Sequence, residues 1–551
     1  MGAAWTKVRA ALRAYACFAV VHSLVKIVYV IWKTKRQMRQ LRHVPGADLD
    51  VLVKKYRENI TRIHDFKAAF HQEFPGAKLI KTHGPEPELM VRDPEFIKHF
   101  LKTEFDRNTK MSTGQDNVFD MMGEWLGDEG IFVIRHGSSL PEDNAIWIHQ
   151  RKTAAKLFTR GNFQDLMWES FAAKLKILTR VLEEHAESGQ PIDLQKKFFS
   201  FTFDSIQKIF YARDVDSVSG DTDPYAFAFD GAHRVLMTFH FTMLPLYVLI
   251  KYAFPFPFGR LIPNRREWNP LWWLVQQLSP VHKEFREHCK YLKDVTEGYV
   301  QEARRADPKT LDSRRDLLAH FLRSQRDGEM LSDKRLSDII LNFIIAGRDT
   351  SACTLSWMFL YLAKNPKVQE KAAAEAREAF GDRIPRLEDL DPEKVPYLHG
   401  VLYETLRLAP PVPEDTKIVS EEVVFPDGTR ALPGVRLSFS PFSIGRDPER
   451  FEDPLSFRPE RWIPWTPFRQ DPDFSYKFPV FQSGHRICLG ANMAQFEIKM
   501  VAATLLSRFS FELTPGQDPD AFQYARMITI SVCNDLEQTS HELQLVVKRR
   551  E

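Results

Sequence analysis

The chain is poor in cysteine and offers no pairing among the few it has. Its five cysteines, Cys17, Cys289, Cys353, Cys488 and Cys533, are odd in number, widely scattered and include no Cys-x-x-Cys. That excludes a disulfide framework and a zinc ribbon, and fits a reducing compartment with one working thiol. An excess of charge of one sign is also missing: a net +3 with 27% charged residues points to neither nucleic acid nor a strongly acidic partner. There is no Gly/Ser linker, repeat or low-complexity stretch, so the chain reads as one large helix-rich domain with an N-terminal appendage, where length alone suggests roughly three or four domains. No Gly-x-Gly-x-x-Gly occurs, hence no dinucleotide fingerprint. Finally, no Asp or Glu precedes Asp48.

That acid-free start holds a mostly apolar run, 14–32, interrupted by His22, Ser23 and Lys26. It is about as long as a bilayer span requires, though less apolar than a clear one. Lys33, Lys35, Arg36, Arg39 and Arg42 follow it, against Lys7, Arg9 and Arg13 before it, so the positive-inside rule leaves the remainder cytosolic. Val44-Pro45-Gly46 then acts as a hinge. Residues 1–46 are expected to be a single-pass membrane anchor and hinge, and 47–551 a catalytic domain. A mitochondrial transit peptide is the rival, being equally Arg-rich and acid-free; the basic block behind the apolar run favours the anchor.

Chemistry concentrates in 481–490, Phe-Gln-Ser-Gly-His-Arg-Ile-Cys-Leu-Gly. A tight loop, a fixed charge at Arg486 and a helical pattern beginning after Cys488 place that thiol at a helix N-terminus, where macrodipole and free N–H groups favour a thiolate, a soft ligand for iron. Upstream, Trp147 and Arg151 stand one helical turn apart and can clamp carboxylates. A long helix opened by Leu331-Ser-Asp333 carries Ala346-Gly-Arg-Asp-Thr350; there Gly347 admits close approach to the backbone, and Asp349 beside Thr350 sets an acid next to an alcohol. Glu404 and Arg407 share one helical face, with Arg461 following. The stretch 119–132 reads as a loop with apolar anchors, and 239–258 as an apolar segment lying on a membrane or packed internally. The runs 422–425 and 436–439 suggest a small antiparallel sheet.

Phe-x-x-Gly-x-Arg-x-Cys-x-Gly, with Trp-x-x-x-Arg, Gly-x-Asp-Thr, Glu-x-x-Arg and Pro-Glu-Arg in order, resembles the haem-thiolate monooxygenases of the cytochrome P-450 family. The resemblance implies a mainly α fold with a small antiparallel β region. It implies Cys488 as axial ligand of the haem iron, Trp147, Arg151 and Arg486 on the haem propionates with Lys417 as a further candidate, and Thr350 and Asp349 delivering protons to bound dioxygen. Glu404, Arg407 and Arg461 would brace the loop behind the haem. Asn342-Phe-Ile-Ile-Ala-Gly-Arg-Asp-Thr-Ser, Pro413-Glu-Asp-Thr-Lys and Gln150-Arg-Lys-Thr-Ala-Ala look like the plant and fungal fatty-acid omega-hydroxylases. Two departures stand out: His485 occupies a position that is proline in many relatives, and the apolar region 239–275 is longer than usual. Ala346 stands where some animal fatty-acid hydroxylases carry a glutamate esterified to haem, so haem b is expected to be held non-covalently.

The expected activity is insertion of one oxygen atom of dioxygen into a hydrophobic substrate, at the terminal carbon of a long-chain fatty acid. Electrons would come from a separate NADPH-cytochrome P-450 reductase, with cytochrome b5 as an alternative donor, at the endoplasmic reticulum membrane. The alternatives are a sterol, terpenoid or xenobiotic substrate, an oxygen-independent rearrangement of fatty hydroperoxides, and a haem sensor or carrier without turnover.

Overall fold

The computed structural model describes residues 31–47, 58–83, 87–110, 117–127, 129–134, 140–220, 223–253, 270–324, 331–535 and 540–551, together with a few isolated positions between 21 and 55. Most of the anchor, and the end of the apolar stretch at 254–269, lie outside them. Seven helices organise the site: α1 (Asn117–Leu126), α2 (Pro141–Ala155), α3 (Leu194–Tyr211), α4 (Pro224–Ala253), α5 (Asp333–Lys364), α6 (Pro396–Leu408) and α7 (Ala491–Arg508).

Local chemistry sets their ends. Pro141 and Pro396 occupy first-turn positions, where a missing N–H costs nothing. Asp193 caps α3 by accepting from the Lys196 N–H at 3.2 Å, and Ser332 caps α5 by accepting from Arg335 at 3.2 Å. Helix α5 has 32 residues and so runs about 48 Å through the molecule. It is buried on nearly every side, and α3, α4 and α7 all adjoin it or its neighbours within one continuous apolar core.

The β region is small. Strands β1 (Leu79–His83), β2 (Pro87–Val91), β3 (Asn108–Thr109), β4 (Asp415–Val419) and β5 (Arg436–Phe439) form one sheet in the order β1-β2-β5-β4-β3. The β2–β5 pair is parallel, with Glu88 opposite Arg436, and the rest are antiparallel. This corrects the expected pairing of 422–425 with 436–439. Val423–Val424 instead folds back on Arg430–Ala431 across the Pro426-Asp-Gly turn, because that turn closes a hairpin before the chain reaches β5.

Two further expectations change. The stretch 119–132 is not simply a loop: most of it belongs to α1, with Met121, Met122, Trp125 and Leu126 buried. Gly123 lies within the helix, while Gly127 ends it with φ +85°. Nor is 239–258 a segment of its own: its first part continues α4 past Pro245 to Ala253, since one hydrogen bond lost at proline is offset by the turns on either side. Among the described residues no helix is long and apolar enough to cross a membrane.

Candidate active site

The 481–490 loop is held in an uncommon backbone shape. Gln482 and Gly484 take φ of 63° and 64°, and a Cβ on Gly484 would sit 2.3 Å from the Leu101 carbonyl oxygen, so that position needs glycine. The Cys488 N–H closes the loop on the Phe481 carbonyl at 2.8 Å. Helix α7 starts at Ala491 with Gly490 as N-cap, which puts Cys488 two residues ahead of the cap and outside the first turn. Burial raises the thiol's pKa, with the Gly490 N–H and Arg151 opposing it. Burial thus works against the thiolate that the Gly490 N–H and Arg151 favour, and a soft metal cation upon the sulfur would stabilise the anion. Although burial dominates its titration, the Cys488 side chain keeps exposed surface. A thiol both enclosed and open faces an interior space.

Helix α5 is open at one place. Across residues 336–360 every side chain is buried except those of Ala346 and Thr350, one turn apart on one face. The Thr350 hydroxyl donates to the Ala346 carbonyl at 2.6 Å. Gly347 is turned about 100° from that face, and a Cβ there would meet Ile206 Cδ1 on α3 at 2.5 Å; this glycine makes room for a neighbouring helix, not for a cofactor or dioxygen. Asp349 also points elsewhere. It is buried, with Oδ1 accepting from Arg348 Nη1 at 3.0 Å and Oδ2 lying 3.3 Å from His233 Nδ1.

Trp147 is flanked by two guanidinium groups, Arg486 at 4.5 Å and Arg151 at 5.6 Å from its ring centre. Arg151 Nη2 donates to the Ile487 carbonyl at 2.9 Å, and Arg486 donates to the Ile131 and Ile134 carbonyls at 3.2 Å each. The three residues are thus brought together with the Cys loop and the segment after α1. Burial pushes Arg486 down to about 9, with Arg151 adding repulsion and Asp415 opposing. Beside them stand two lysines. Burial brings Lys110 down to about 7, aided by Lys417 and Arg486; Lys417 is itself lowered by burial and hydrogen-bonds Asp415. Against the penalty of burial, Lys417 and Lys110 hold the Asp415 carboxyl at about 2. Several enclosed cations around one carboxylate leave the site short of negative charge, which suits a ligand with carboxylates of its own. Lys110 escaped the sequence reading because nothing next to it in the chain marks it. A cleft of about 380 Å³, lined by Phe105, Asp106, Trp147, Arg151, Lys152 and His485, opens on the same group.

Behind this lies a fully buried brace. Glu404 and Arg407 pair at 2.7 and 2.8 Å with no exposure on either side. Glu404 also accepts from Arg461 Nε at 3.2 Å, the Arg458 N–H at 2.8 Å and Trp462 Nε1 at 3.0 Å. Arg407 reaches the Gly445 and Pro454 carbonyls at 2.5 Å each and that of Ser456 at 3.0 Å.

A sequence model of the family described as Cytochrome P-450 matches residues 52–266 and 261–532. Cytochrome P-450 86B1 of Arabidopsis thaliana is 33% identical over 77% of this chain and 72% of its own length. Cytochrome P-450 704C1 of Pinus taeda is 30% identical over 87% of this chain and 88% of its own. Cytochrome P-450 monooxygenase cyp1 of Mycosarcoma maydis is 28% identical over 77% of this chain and 62% of its own. The chain belongs to the cytochrome P-450 family. As a cytochrome P-450 it is a haem monooxygenase, an oxidoreductase that binds haem iron, takes electrons from a redox partner and works on hydrophobic substrates. The residues present fit that group. Among the described residues no cluster of His, Cys, Asp or Glu could hold a metal by itself, so a lone thiol opening on an interior space suits a metal that brings its other ligands with it, and the surplus of enclosed cations suits the carboxylates of the macrocycle.

Proposed function

We propose that this cytochrome P-450 hydroxylates the terminal carbon of long-chain fatty acids. Haem b, held non-covalently, supplies the dioxygen-activating iron. Cys488 would ligate it, and Trp147, Arg151 and Arg486 would hold its propionates, joined by Lys110 and Lys417. Thr350, open to the interior, would hydrogen-bond the reacting oxygen's surroundings, and Asp349 would supply protons beside it. The brace around Glu404 would keep the Cys loop fixed without touching the reaction.

The observations that carry the chemistry are an enclosed thiol that keeps exposed surface, and Ala346 with Thr350 as the positions of 336–360 that are not buried. The substrate reading is supported by the motif resemblance to omega-hydroxylases and by matched relatives from plants and a fungus. The small Ala346 side chain also leaves room for an unbranched chain end. An anchored location at the endoplasmic reticulum, with NADPH-cytochrome P-450 reductase or cytochrome b5 as donor, is supported by apolar surface. Ile31 and Trp32 are exposed ahead of the basic block, as are Leu271, Trp273, Leu274 and Leu278 on the helix Pro270–Leu278.

The test is product mapping in a reconstituted system with a long-chain fatty acid, beside the carbon monoxide difference spectrum of the reduced protein. An omega-alcohol and a thiolate-type spectrum are expected. Oxidation of a sterol or terpenoid ring with no omega-alcohol would overturn the substrate, activity without any reductase would replace oxygen insertion by hydroperoxide rearrangement, and a haem spectrum with no turnover would leave a sensor.

A further inference from the structure

Helices α4 and α5 are joined by a run of alternating acids and bases. Asp230 on α4 takes both Nη groups of Arg348 at 2.6 and 2.8 Å. Arg348 Nη1 also donates to Asp349 Oδ1 at 3.0 Å, and Asp349 Oδ2 lies 3.3 Å from Nδ1 of His233, again on α4. On the far side of that imidazole the Ile528 N–H donates to Nε2 at 3.2 Å. A nitrogen that accepts carries no proton, so this contact places the ring hydrogen on Nδ1, facing Asp349. An imidazolium would set Nε2–H against the Ile528 N–H, two donors face to face where the His233 and Asp349 side chains are each 2% exposed. The ring is confined in its packing as well, since the Trp125 ring centre of α1 lies 5.4 Å away.

We propose that His233 is a positioning residue for proton delivery: its Nδ1–H holds the Asp349 carboxylate against α4, turned from the Thr350 face, so that the seating of α4 on α5 sets when the acid is released. The inference rests on the reading of Asp349 as proton supplier. Arg348 alone does not provide this control, because it sits on the same helix as Asp349 and moves with it; His233 and Asp230 are the groups of the run contributed by α4. Ile528, from the segment that follows β-paired Tyr524, ties a third part of the chain to the same imidazole.

The experiment has two arms, both on the full haem-loaded protein. In the diamagnetic reduced carbon monoxide complex, nitrogen-15 shifts of His233, assigned within the parent protein by their proximity to the Trp125 ring and the Ile528 N–H, should show a protonated Nδ1 and a bare Nε2. The opposite tautomer, or an imidazolium, overturns the proposal even if the variant fails to fold. In the second arm His233→Phe, which keeps an aromatic ring against Trp125, should raise the peroxide-to-product ratio by about tenfold, the worth of one hydrogen bond to a charged group. His233→Asn, with an amide donor near the Nδ1 position, should restore most of the loss. The effect of His233→Phe should vanish when Asp349 is already Asn; an equal effect in that background overturns the positioning role. If Asp349→Asn alone leaves the ratio unchanged while the tautomer is as expected, it is the reading of Asp349 as proton supplier that fails, and the role of His233 in delivery falls with it.

Discussion

Thr350 donates its hydroxyl hydrogen to the carbonyl of Ala346 at 2.6 Å, and these two residues are the open positions of 336–360. Since that bond lies within α5, the hydroxyl oxygen keeps acceptor capacity toward the interior space without adding a tie between helices.

Thr350→Ala is therefore expected to change stability by no more than about 0.5 kcal/mol, to retain haem, and to divert reducing equivalents to peroxide. Thr350→Ser should preserve coupling. The peroxide-to-product ratio decides the matter, and an unchanged ratio in the alanine variant removes Thr350 from proton delivery.

Gly347→Ala tests what the glycine is for. An added Cβ 2.5 Å from Ile206 Cδ1 costs about 1–3 kcal/mol by overpacking, while alanine returns about 1 kcal/mol of helix propensity, so the single variant should be neutral to mildly destabilised. With Ile206→Val beside it, the clash is relieved and thermal stability should recover to that of Ile206→Val alone or above it. If the glycine instead served approach of a cofactor, the second substitution would not rescue haem content.

The contrast between these two positions shows what the sequence could carry. Trp147 with Arg151, and Arg486 with Cys488, were legible as two local pairs; that they belong together was implied by the family resemblance, and the structure gathers them as one group. Glu404 and Arg407 were legible as an acid and a base on one helical face, while Arg461 joined them only through the family resemblance. What Gly347 admits was not legible, because a linear string does not say which face of a buried helix meets a ligand and which meets another helix. Lys110 and His233 were invisible: the first gains its partners from Asp415 and Lys417 about 300 residues downstream, the second from Asp349 and Ile528. The 422–425 pairing failed because strand partners are chosen by register over long distances, whereas helices close their own hydrogen bonds.

The brace should be intolerant of single changes. Glu404→Ala leaves Arg407 buried without its carboxylate and deprives Trp462 Nε1 and the Arg458 N–H of an acceptor, a loss of about 3–5 kcal/mol. Arg407→Lys should fail nearly as badly, because a single ammonium cannot span Glu404 and the carbonyls of Gly445, Pro454 and Ser456 at once. Haem content per chain and the thermal midpoint should fall together in both variants. Loss of turnover with full haem content and an unchanged midpoint would mean that the network acts in the reaction itself.

Glu497 on α7 gives a prediction with a sign. It is fully buried, and burial pushes the carboxyl up to about 8 against the opposing effect of a hydrogen bond with Ser351 of α5. In the unfolded chain the same group titrates near 4.5. Below about pH 4.5 both states hold the proton, so the group contributes no slope. Between about 4.5 and 8 the unfolded chain releases a proton that the folded chain keeps, so stability falls as pH rises through that window; above it both are ionised and the slope ends. Glu497→Gln removes the titration while keeping the volume. The variant should therefore gain on the parent as pH rises, by a few kcal/mol near pH 8 and little near pH 5, visible as a growing difference between their thermal midpoints. Parallel curves across that range would show that Glu497 is ionised in the folded protein and has found a partner there.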